Sequence, residues 1–200
     1  MTSYVLLNGP KRSGKSSCAD AILNVRSLDA SIAVIGMSFH LKRFVHGIYL
    51  GRCGFALDPD HFDATKEDPQ DTLGGMSWRE AYIHYSENVV KPLHGKRWFG
   101  EQLVRAARES DADVVAVPDS GFREEAEVLV EDAGAAKVLL IRLHRPGHGF
   151  KGDSRGYIDL SDLDVMTHDV WATEGGLVAV MDRVVAIVVD WYGRRKTDAA

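Results

Sequence analysis

The stretch Tyr4-Val-Leu-Leu-Asn-Gly9-Pro-Lys-Arg-Ser-Gly-Lys-Ser16 decides the fold of this 200-residue chain. Its second half fits the pattern G-x-x-x-x-G-K-[ST], a phosphate-binding loop when it follows a strand and opens a helix. Both conditions are predicted here. Tyr4 to Leu7 is a short apolar run typical of a buried strand, and Lys15 to Val25 have helical spacing. Glycines let such a loop wrap closely around phosphate oxygens, which face the helix N-terminus.

The loop pattern predicts a site for ATP and Mg²⁺. Lys15 is expected to act as a catalytic residue at the β- and γ-phosphates, and Ser16 to place its hydroxyl on Mg²⁺. The ATP-binding residues predicted in and after the loop are Gly9, Lys11, Arg12, Ser13, Gly14, Lys15, Ser16 and Ser17.

A second candidate at this site is Asp119, which follows the apolar strand Asp113 to Val117. Ligands of open parallel sheets bind at the carboxyl ends of the strands. Asp119 is therefore expected to hold Mg²⁺ or to polarise an acceptor hydroxyl as a catalytic residue. The alternative is a plain turn or helix N-cap aspartate, because Asp119-Ser-Gly also has the composition of a turn.

Strands alternating with helices predict an α/β fold of the P-loop NTPase type, a parallel sheet with helices on both faces. The chain is 45% apolar and has no evident dividing linker, so residues 1–200 are expected to form one kinase domain. Gly51 to Gly75 is predicted to be a long connection. The other predicted strands are Ser31 to Met37, Lys137 to Leu143 and Leu163 to Thr167. The other predicted helices are Phe39 to Tyr49, Trp78 to Val90, Trp98 to Ser110, Glu124 to Ala133 and Leu177 to Val189.

The polar, glycine-rich segment Arg145 to Leu160 is predicted to be a short, mobile lid. Arginines of a closing lid would stabilise the charge of a transferring phosphoryl group, so Arg145 and Arg155 are candidate catalytic residues. The alternative is solvated surface charge. Arg142 is a weaker candidate because it alternates along a strand.

The segment Ser77 to Glu87 is a candidate acceptor-binding helix. Arg79 and the ring of Tyr82 would clamp and stack a base, and Glu87 would accept a proton from an acceptor hydroxyl. The alternative is an ordinary amphipathic helix whose aromatic side chains face the core, which suits Trp78 and Tyr82.

Charge and cysteine content restrict the function classes. The net charge of -5 argues against sequence-independent binding of long nucleic acids, because such binding needs a basic face. Two cysteines without metal-ligand spacing favour a reduced, cytoplasmic protein. No apolar run is long enough to span a bilayer, so no membrane partner is expected. The sequence leaves open whether the protein forms a homodimer.

The chain resembles the bacteriophage deoxynucleoside monophosphate kinases, within the wider thymidylate-kinase-like group. The resemblance is carried in order by NGPKRSGKSSCAD, FHLKRF, SWREAYIHYSE, VVAVPDSGFREEAEVL and IRLHRPG. It implies ATP, Mg²⁺, a nucleotide-type acceptor and, for a viral chain, the cytoplasm of the infected host cell. Members of this group commonly carry an arginine two residues after the aspartate. This chain has Gly121 there, with Arg123 close by as a candidate acceptor-binding residue.

Gly121 leads to two predicted acceptors. A free deoxynucleoside monophosphate is dianionic and requires a cationic clamp, which a glycine does not provide. The wider group also includes kinases of 5-hydroxymethyluracil already in phage DNA, an acceptor that needs a base such as Asp119 or Glu87. This DNA acceptor is narrowly favoured for thymidine hypermodification, and the basic stretch Lys91 to Trp98 would help to bind DNA. A nucleotide-binding switch protein that hydrolyses ATP slowly is the third alternative.

Overall fold

The computed structural model of the protein describes residues 2–50, 65–172 and 176–198. Within these ranges five strands form one sheet in the order β2-β3-β1-β4-β5, and every pairing in it is parallel. The strands are β1 (Ser3–Asn8), β2 (Ile32–Val34), β3 (Val114–Ser120), β4 (Val138–His144) and β5 (Met166–Trp171). The predicted α/β fold with a parallel sheet is confirmed.

Seven α-helices accompany the sheet in the described ranges: α1 (Lys15–Leu23), α2 (Phe39–Leu50), α3 (Trp78–Tyr85), α4 (Lys91–His94), α5 (Trp98–Ser110), α6 (Arg123–Ala133) and α7 (Leu177–Asp198). A π-helical turn, Ser86–Val90, joins α3 to α4. The predicted helix Trp78 to Val90 is therefore helical throughout, although its last turn is of the π type. No helix in the described part of the chain is long and apolar enough to cross a membrane.

The chain divides into two compact units. Met1–Met37 with Gly100–Ala200 form the phosphate-loop unit, and Ser38–Phe99 form the inserted unit, which lies in sequence between β2 and β3. The sequence predicts one kinase domain over residues 1–200, because no linker that would divide the chain is evident, and this stays a prediction. Much of the predicted connection Gly51 to Gly75 lies outside the described residues, which resume at residue 65.

Two apolar layers cover the sheet of the phosphate-loop unit. On one face Tyr4, Leu6, Val115 and Val117 pack with the buried residues of α5 and α6. On the other face Val5, Leu7 and Ile141 pack with those of α1 and α7. Every residue of β1 is buried, as alternating contacts with both layers require of a central strand. The loop that follows β1 therefore starts from a fully buried strand at the centre of the sheet.

The inserted unit has an apolar cluster of its own, formed by Leu41, Val45, Leu73, Trp78, Ala81, Val90 and Phe99. Helix α3 begins with a capping box, in which Ser77 Oγ accepts from the Glu80 amide and the Glu80 carboxylate accepts from the Ser77 amide. The hydrogen bond from the Ser77 amide, with a smaller effect of the Ser77 hydroxyl, holds the pKa of Glu80 below its usual range. Sequence and local structure agree here, because Ser-x-x-Glu before an apolar helix predicts this cap.

Strand β5 corrects the sequence-based prediction. The predicted strand Leu163 to Thr167 overlaps β5 only at its end, since Ser161–Leu163 is a 3₁₀ turn and Asp164 has a left-handed φ of 54°. β5 lies at the edge of the described sheet and is mostly exposed or half-buried, so its residues include His168 and Asp169 rather than an apolar run. An edge strand of mixed composition gives little signal in the sequence.

The predicted lid has no regular secondary structure, but its two parts differ. Residues 146–149, 151, 152 and 154 are exposed, as expected for a polar lid. Ile158 and Leu160, in contrast, belong to the core, with exposures of 3% and 0%. The name exposed lid segment is therefore kept for residues 146–154; beyond it Tyr157 and Asp159 are exposed, whereas Ile158 and Leu160 are anchored in the core.

Candidate active site

The loop between β1 and α1 has the close packing that its glycines predict. A Cβ added to Gly9 would lie 2.7 Å from the carbonyl oxygen of Leu143 and 2.8 Å from Ser13 Oγ, so only glycine fits there. Gly14 has a left-handed φ of 94°, which L residues rarely adopt, and Arg12 also has a positive φ of 62°. This backbone forms a tight concave turn directly before a helix.

Helix α1 begins without a side-chain cap. Gly14 is its N-cap residue and offers no side-chain hydrogen bond, and acidic residues are absent from the first turn. The first amides of an α-helix have no intrahelical acceptor, so those of this turn are suited to an anion. Ser16 is exposed and Ser17 is half-buried in the same turn. The geometry thus fits the phosphates of ATP at the predicted residues.

The Lys15 ammonium group lies on the loop itself. Lys15 Nζ donates to the carbonyl oxygens of Gly9 and Pro10, both at 2.7 Å, and lies 3.4 Å from Ser13 Oγ. Ser13 is itself buried, at 2% exposure. The loop therefore carries its own positive charge, held by carbonyl oxygens that a phosphate oxygen would compete with.

Asp119 lies in an irregular end of β3. Leu6 pairs with Val117 and Asn8 with Ser120, so two residues of β3 stand opposite Leu7 alone. Such a bulge re-aims the side chain that it contains, and bulges are enriched beside active sites. Asp119 was expected just after the strand; it is found within the last residues of β3, in this bulge.

The Asp119 carboxylate is held by the chain segment that follows β2. Its Oδ1 accepts from the Met37 amide at 2.7 Å. A Cβ at Gly36 would lie 3.1 Å from Asp119 Oδ2 and 3.2 Å from Oδ1, so Gly36 makes room for the carboxylate. Asp119 thus has a fixed place at the carboxyl end of the sheet. One carboxylate with substrate phosphates is a common Mg²⁺ arrangement, and Asp119 and Ser16 as its ligands stay predictions.

Arg145 connects the first residue of the predicted lid to the phosphate loop. Its Nη1 donates to the carbonyl oxygen of Arg12 at 2.6 Å. The guanidinium group is therefore beside the loop, where the sequence-based hypothesis needs it.

Arg155 is packed against the turn after β3. A Cβ at Gly121 would lie 2.3 Å from Arg155 Cδ and 2.6 Å from its Cγ, so the arginine side chain crosses directly over Gly121. Its Nε and Nη2 donate to the two Asp153 carboxylate oxygens at 2.9 and 2.5 Å. Hydrogen bonding to Asp153 raises the pKa of Arg155 and outweighs burial, and Asp119 and Glu125 add attraction. Arg155 therefore stays charged beside Asp119.

Asn8 was not predicted, although it joins three parts of this site. It is fully buried at the end of β1, and its Nδ2 donates to the carbonyl oxygens of Ser120 and Gly156, both at 3.0 Å. Its Oδ1 accepts from the Ile158 amide at 3.1 Å. The sequence does contain a signal for Asn8, because it is a polar residue at the end of an apolar strand, directly before the glycine loop. Asn8 ties the end of the lid segment to the sheet.

Arg123, a predicted acceptor-binding residue, takes part in an ion-pair network. Its guanidinium group donates to both oxygens of Asp162, at 2.8 and 2.7 Å, and its Nε donates to Glu127 at 2.8 Å. These hydrogen bonds raise the pKa of Arg123, those of Asp162 most. In this structure Arg123 ties α6 to the turn before β5, and an acceptor role remains a prediction.

The other predicted acceptor residues belong to the inserted unit. Arg79 Nε donates to Glu67 at 2.7 Å, Glu87 accepts from Lys91 Nζ at 2.6 Å, and the Tyr82 hydroxyl lies 2.6 Å from His46 Nε2. Burial, with a smaller effect of Lys42, lowers the pKa of His46. Tyr82 also stacks with Trp78. These contacts fit the amphipathic-helix alternative, and acceptor roles for Arg79, Tyr82 and Glu87 stay predictions.

The division of residues 145–160 gives a prediction for hydrogen exchange. Amides of residues 146–154 should exchange fast in the free protein and slow when ATP and an acceptor analogue bind together, because the exposed part of the lid closes. The Ile158 amide, bonded to Asn8, should be slow in both states and serves as the internal control. Equal protection of residues 146–154 in both states would show that this segment is not a lid.

No model of a known protein family matches the chain, and no curated protein matches it significantly. Several solved structures are similar. A gluconokinase from Sinorhizobium meliloti 1021 is 15% identical with a TM-score of 0.47, covering 99% of this chain and 98% of that one. A sugar kinase from Janibacter sp. HTCC2649 is 15% identical with a TM-score of 0.41, covering 96% and 94%. A tunicamycin resistance protein from Deinococcus radiodurans is 13% identical with a TM-score of 0.45, covering 94% and 96%.

Proposed function

We propose that this protein is an ATP- and Mg²⁺-dependent phosphotransferase with a nucleotide-type acceptor. The observation that carries the proposal is the phosphate loop. Gly9 is packed too tightly for any side chain, α1 begins uncapped, and the Lys15 ammonium group lies on the loop. A loop with these features after a central strand is built to hold the phosphates of a nucleotide.

Residues around the loop have distinct roles in this proposal. The loop amides and Lys15 would hold the β- and γ-phosphates and stabilise the charge that moves during transfer. Arg145, already bonded to the loop at Arg12, would add a second positive charge. Mg²⁺, when bound by Ser16 and Asp119, would neutralise charge between the phosphates. The chain's own contribution is thus positioning and fixed charge.

The structure bears on the choice between the two acceptors. The DNA acceptor, 5-hydroxymethyluracil, was favoured because Gly121 offers no cationic clamp. Arg155 lies across Gly121 and would provide the cation that position 121 lacks, exchanging its present partner Asp153 for the acceptor phosphate. This favours a free deoxynucleoside monophosphate, whose dianion needs such a partner. The hydroxymethyl group in DNA is the second candidate, supported by the fixed carboxylate of Asp119.

Labelling distinguishes these acceptors. The protein is incubated with γ-labelled ATP and either the four deoxynucleoside monophosphates or DNA containing 5-hydroxymethyluracil. We expect label in a monophosphate and none in the DNA. Label in the DNA alone would reverse the choice and support a DNA-base kinase. Hydrolysis of ATP with neither acceptor labelled would contradict both candidates and support the switch protein.

A further inference from the structure

A stack of three rings stands at the carboxyl ends of β4 and β5. His144 lies between Trp171 and Tyr157, with ring centroids 4.4 Å apart at 17° on the Trp171 side and 4.3 Å apart at 33° on the Tyr157 side. Trp171 is 67% exposed although it stacks on His144. A large aromatic ring covered on one face and exposed elsewhere presents its second face to solvent.

Hydrogen bonds fix this stack in place. His144 Nε2 donates to Asp169 Oδ1, and Arg142 donates to both oxygens of the same carboxylate at 2.9 and 2.6 Å. These bonds, that of Arg142 first, hold the pKa of Asp169 below its usual range. The Tyr157 hydroxyl donates to the carbonyl oxygen of Leu143 at 3.2 Å. Trp171 therefore rests on a ring whose own orientation is set by neighbouring side chains.

The stack is next to the phosphate loop. The Leu143 carbonyl oxygen that binds Tyr157 is the atom against which Gly9 of the loop is packed. The residue after His144 is Arg145, which donates to the loop at Arg12. Strand β5 is separated from β1 only by β4, which puts the ends of β1 and β5 about 10 Å apart. A phosphate group on the loop and a base on Trp171 would be joined by the sugar of one nucleotide.

A purely structural role accounts poorly for Trp171. Burying a large aromatic side chain is what makes it stabilising, and Trp171 is mostly exposed on an edge strand. Its companions His144 and Tyr157 are each anchored by one hydrogen bond, whereas Trp171 stacks on His144 with most of its own surface exposed. An exposed, pre-oriented ring beside a phosphate site is suited to a flat ligand.

We propose that Trp171, backed by His144, stacks the base of the nucleotide that donates the phosphoryl group. The proposal rests on the proposed function, because it needs the phosphates of that nucleotide on the loop. Every base has a π face, so a platform without base-edge contacts accepts adenine and guanine alike. Stacking acts on binding, and Trp171 has no part in the transfer step.

The test compares ATP with inorganic tripolyphosphate, both with Mg²⁺, by calorimetric titration of the whole protein. Trp171→Ala should raise the Kd for ATP about 10-fold to 100-fold and leave that for tripolyphosphate unchanged. Trp171→Phe should keep most of the affinity for ATP. Met166→Ala, which removes another exposed apolar side chain from β5, should change neither Kd.

Each other outcome has a defined meaning. Unchanged ATP affinity in Trp171→Ala would overturn the stacking proposal, and so would an equal loss for ATP and tripolyphosphate, which would show a structural effect. Lys15→Ala tests the proposed function separately, since it should raise the Kd for both ATP and tripolyphosphate. If Lys15→Ala leaves both Kd values unchanged, the proposed function of the phosphate loop is contradicted, whatever the result for Trp171→Ala. If the native protein binds neither ligand, both proposals fall.

Discussion

Lys15→Ala should lower the rate of phosphoryl transfer by about 10²-fold or more, equivalent to several kcal/mol at the transition state. The substitution removes an ammonium group that lies on the loop, within 2.7 Å of two loop carbonyl oxygens. Stabilisation of charge in a fixed geometry is the main contribution of a protein to this chemistry. The loss should appear in kcat in addition to the weaker binding of ATP, measured by release or transfer of the γ-phosphate of ATP at saturating ATP.

Lys137→Ala is the matched control for this variant. Lys137 ends the short turn before β4, at the amino end of the parallel strands and therefore at the opposite end of the sheet from the loop. Lys137→Ala removes one positive charge, as Lys15→Ala does, so an effect of net charge alone would appear in both variants. Near-normal turnover of Lys15→Ala would falsify the role of Lys15, and equal losses in both variants would point to a general effect of charge.

The phosphate loop could be predicted from the sequence because its chemistry is local. Glycines 9 and 14, Lys15 and the flanking strand and helix lie within some twenty residues, and each has a direct steric or electrostatic reason to be there. The parallel sheet followed from the same logic, since buried strands of central position are continuous apolar runs. β1 and α1, which flank the loop, were therefore predicted with bounds close to those observed, whereas β2 is shorter and α7 longer than predicted.

The surroundings of the loop depend on contacts between distant parts of the chain, which one sequence does not display. Asn8 binds Gly156 and Ile158 across about 150 residues, and Asp119 is fixed by Met37 across 82. The position of β5 depends on pairing with β4 rather than on its own mixed composition. The inserted unit has no signal of its own in the sequence, because no evident linker sets it off.

Arg123 illustrates a contact that spacing does not display. A basic residue near Asp119 predicts an acceptor clamp, which stays a prediction; the structure adds that Asp162, 39 residues away in sequence, binds this residue through two hydrogen bonds. Arg155, 34 positions beyond Gly121 in the sequence, is the cation that the fold brings to that glycine. Spacing along the chain identified candidate charges, and tertiary contacts decide which of them meet.

Gly121→Ala should lower turnover by about 10²-fold, as much as Arg155→Ala does. Gly121 has no left-handed φ, so its backbone tolerates a side chain, and the cost comes from Arg155 alone. The new Cβ would stand 2.3 Å from Arg155 Cδ, far inside van der Waals contact, and the arginine would have to leave its place beside Asp119. The expected loss is in kcat, with the midpoint of thermal unfolding little changed.

A double-mutant cycle tests this mechanism. Once Arg155→Ala has removed Cγ and Cδ, the nearest remaining atom is the Arg155 Cβ at 3.3 Å, so Gly121→Ala should then have almost no further effect. Gly193→Ala is the matched control, because Gly193 lies in α7, outside residues 145–160, with open space around its Cβ position and no left-handed φ. It should retain full turnover. Additive losses in the double variant would mean that Gly121 acts independently of Arg155, and full activity of Gly121→Ala would mean that Arg155 need not lie across Gly121 for transfer to occur.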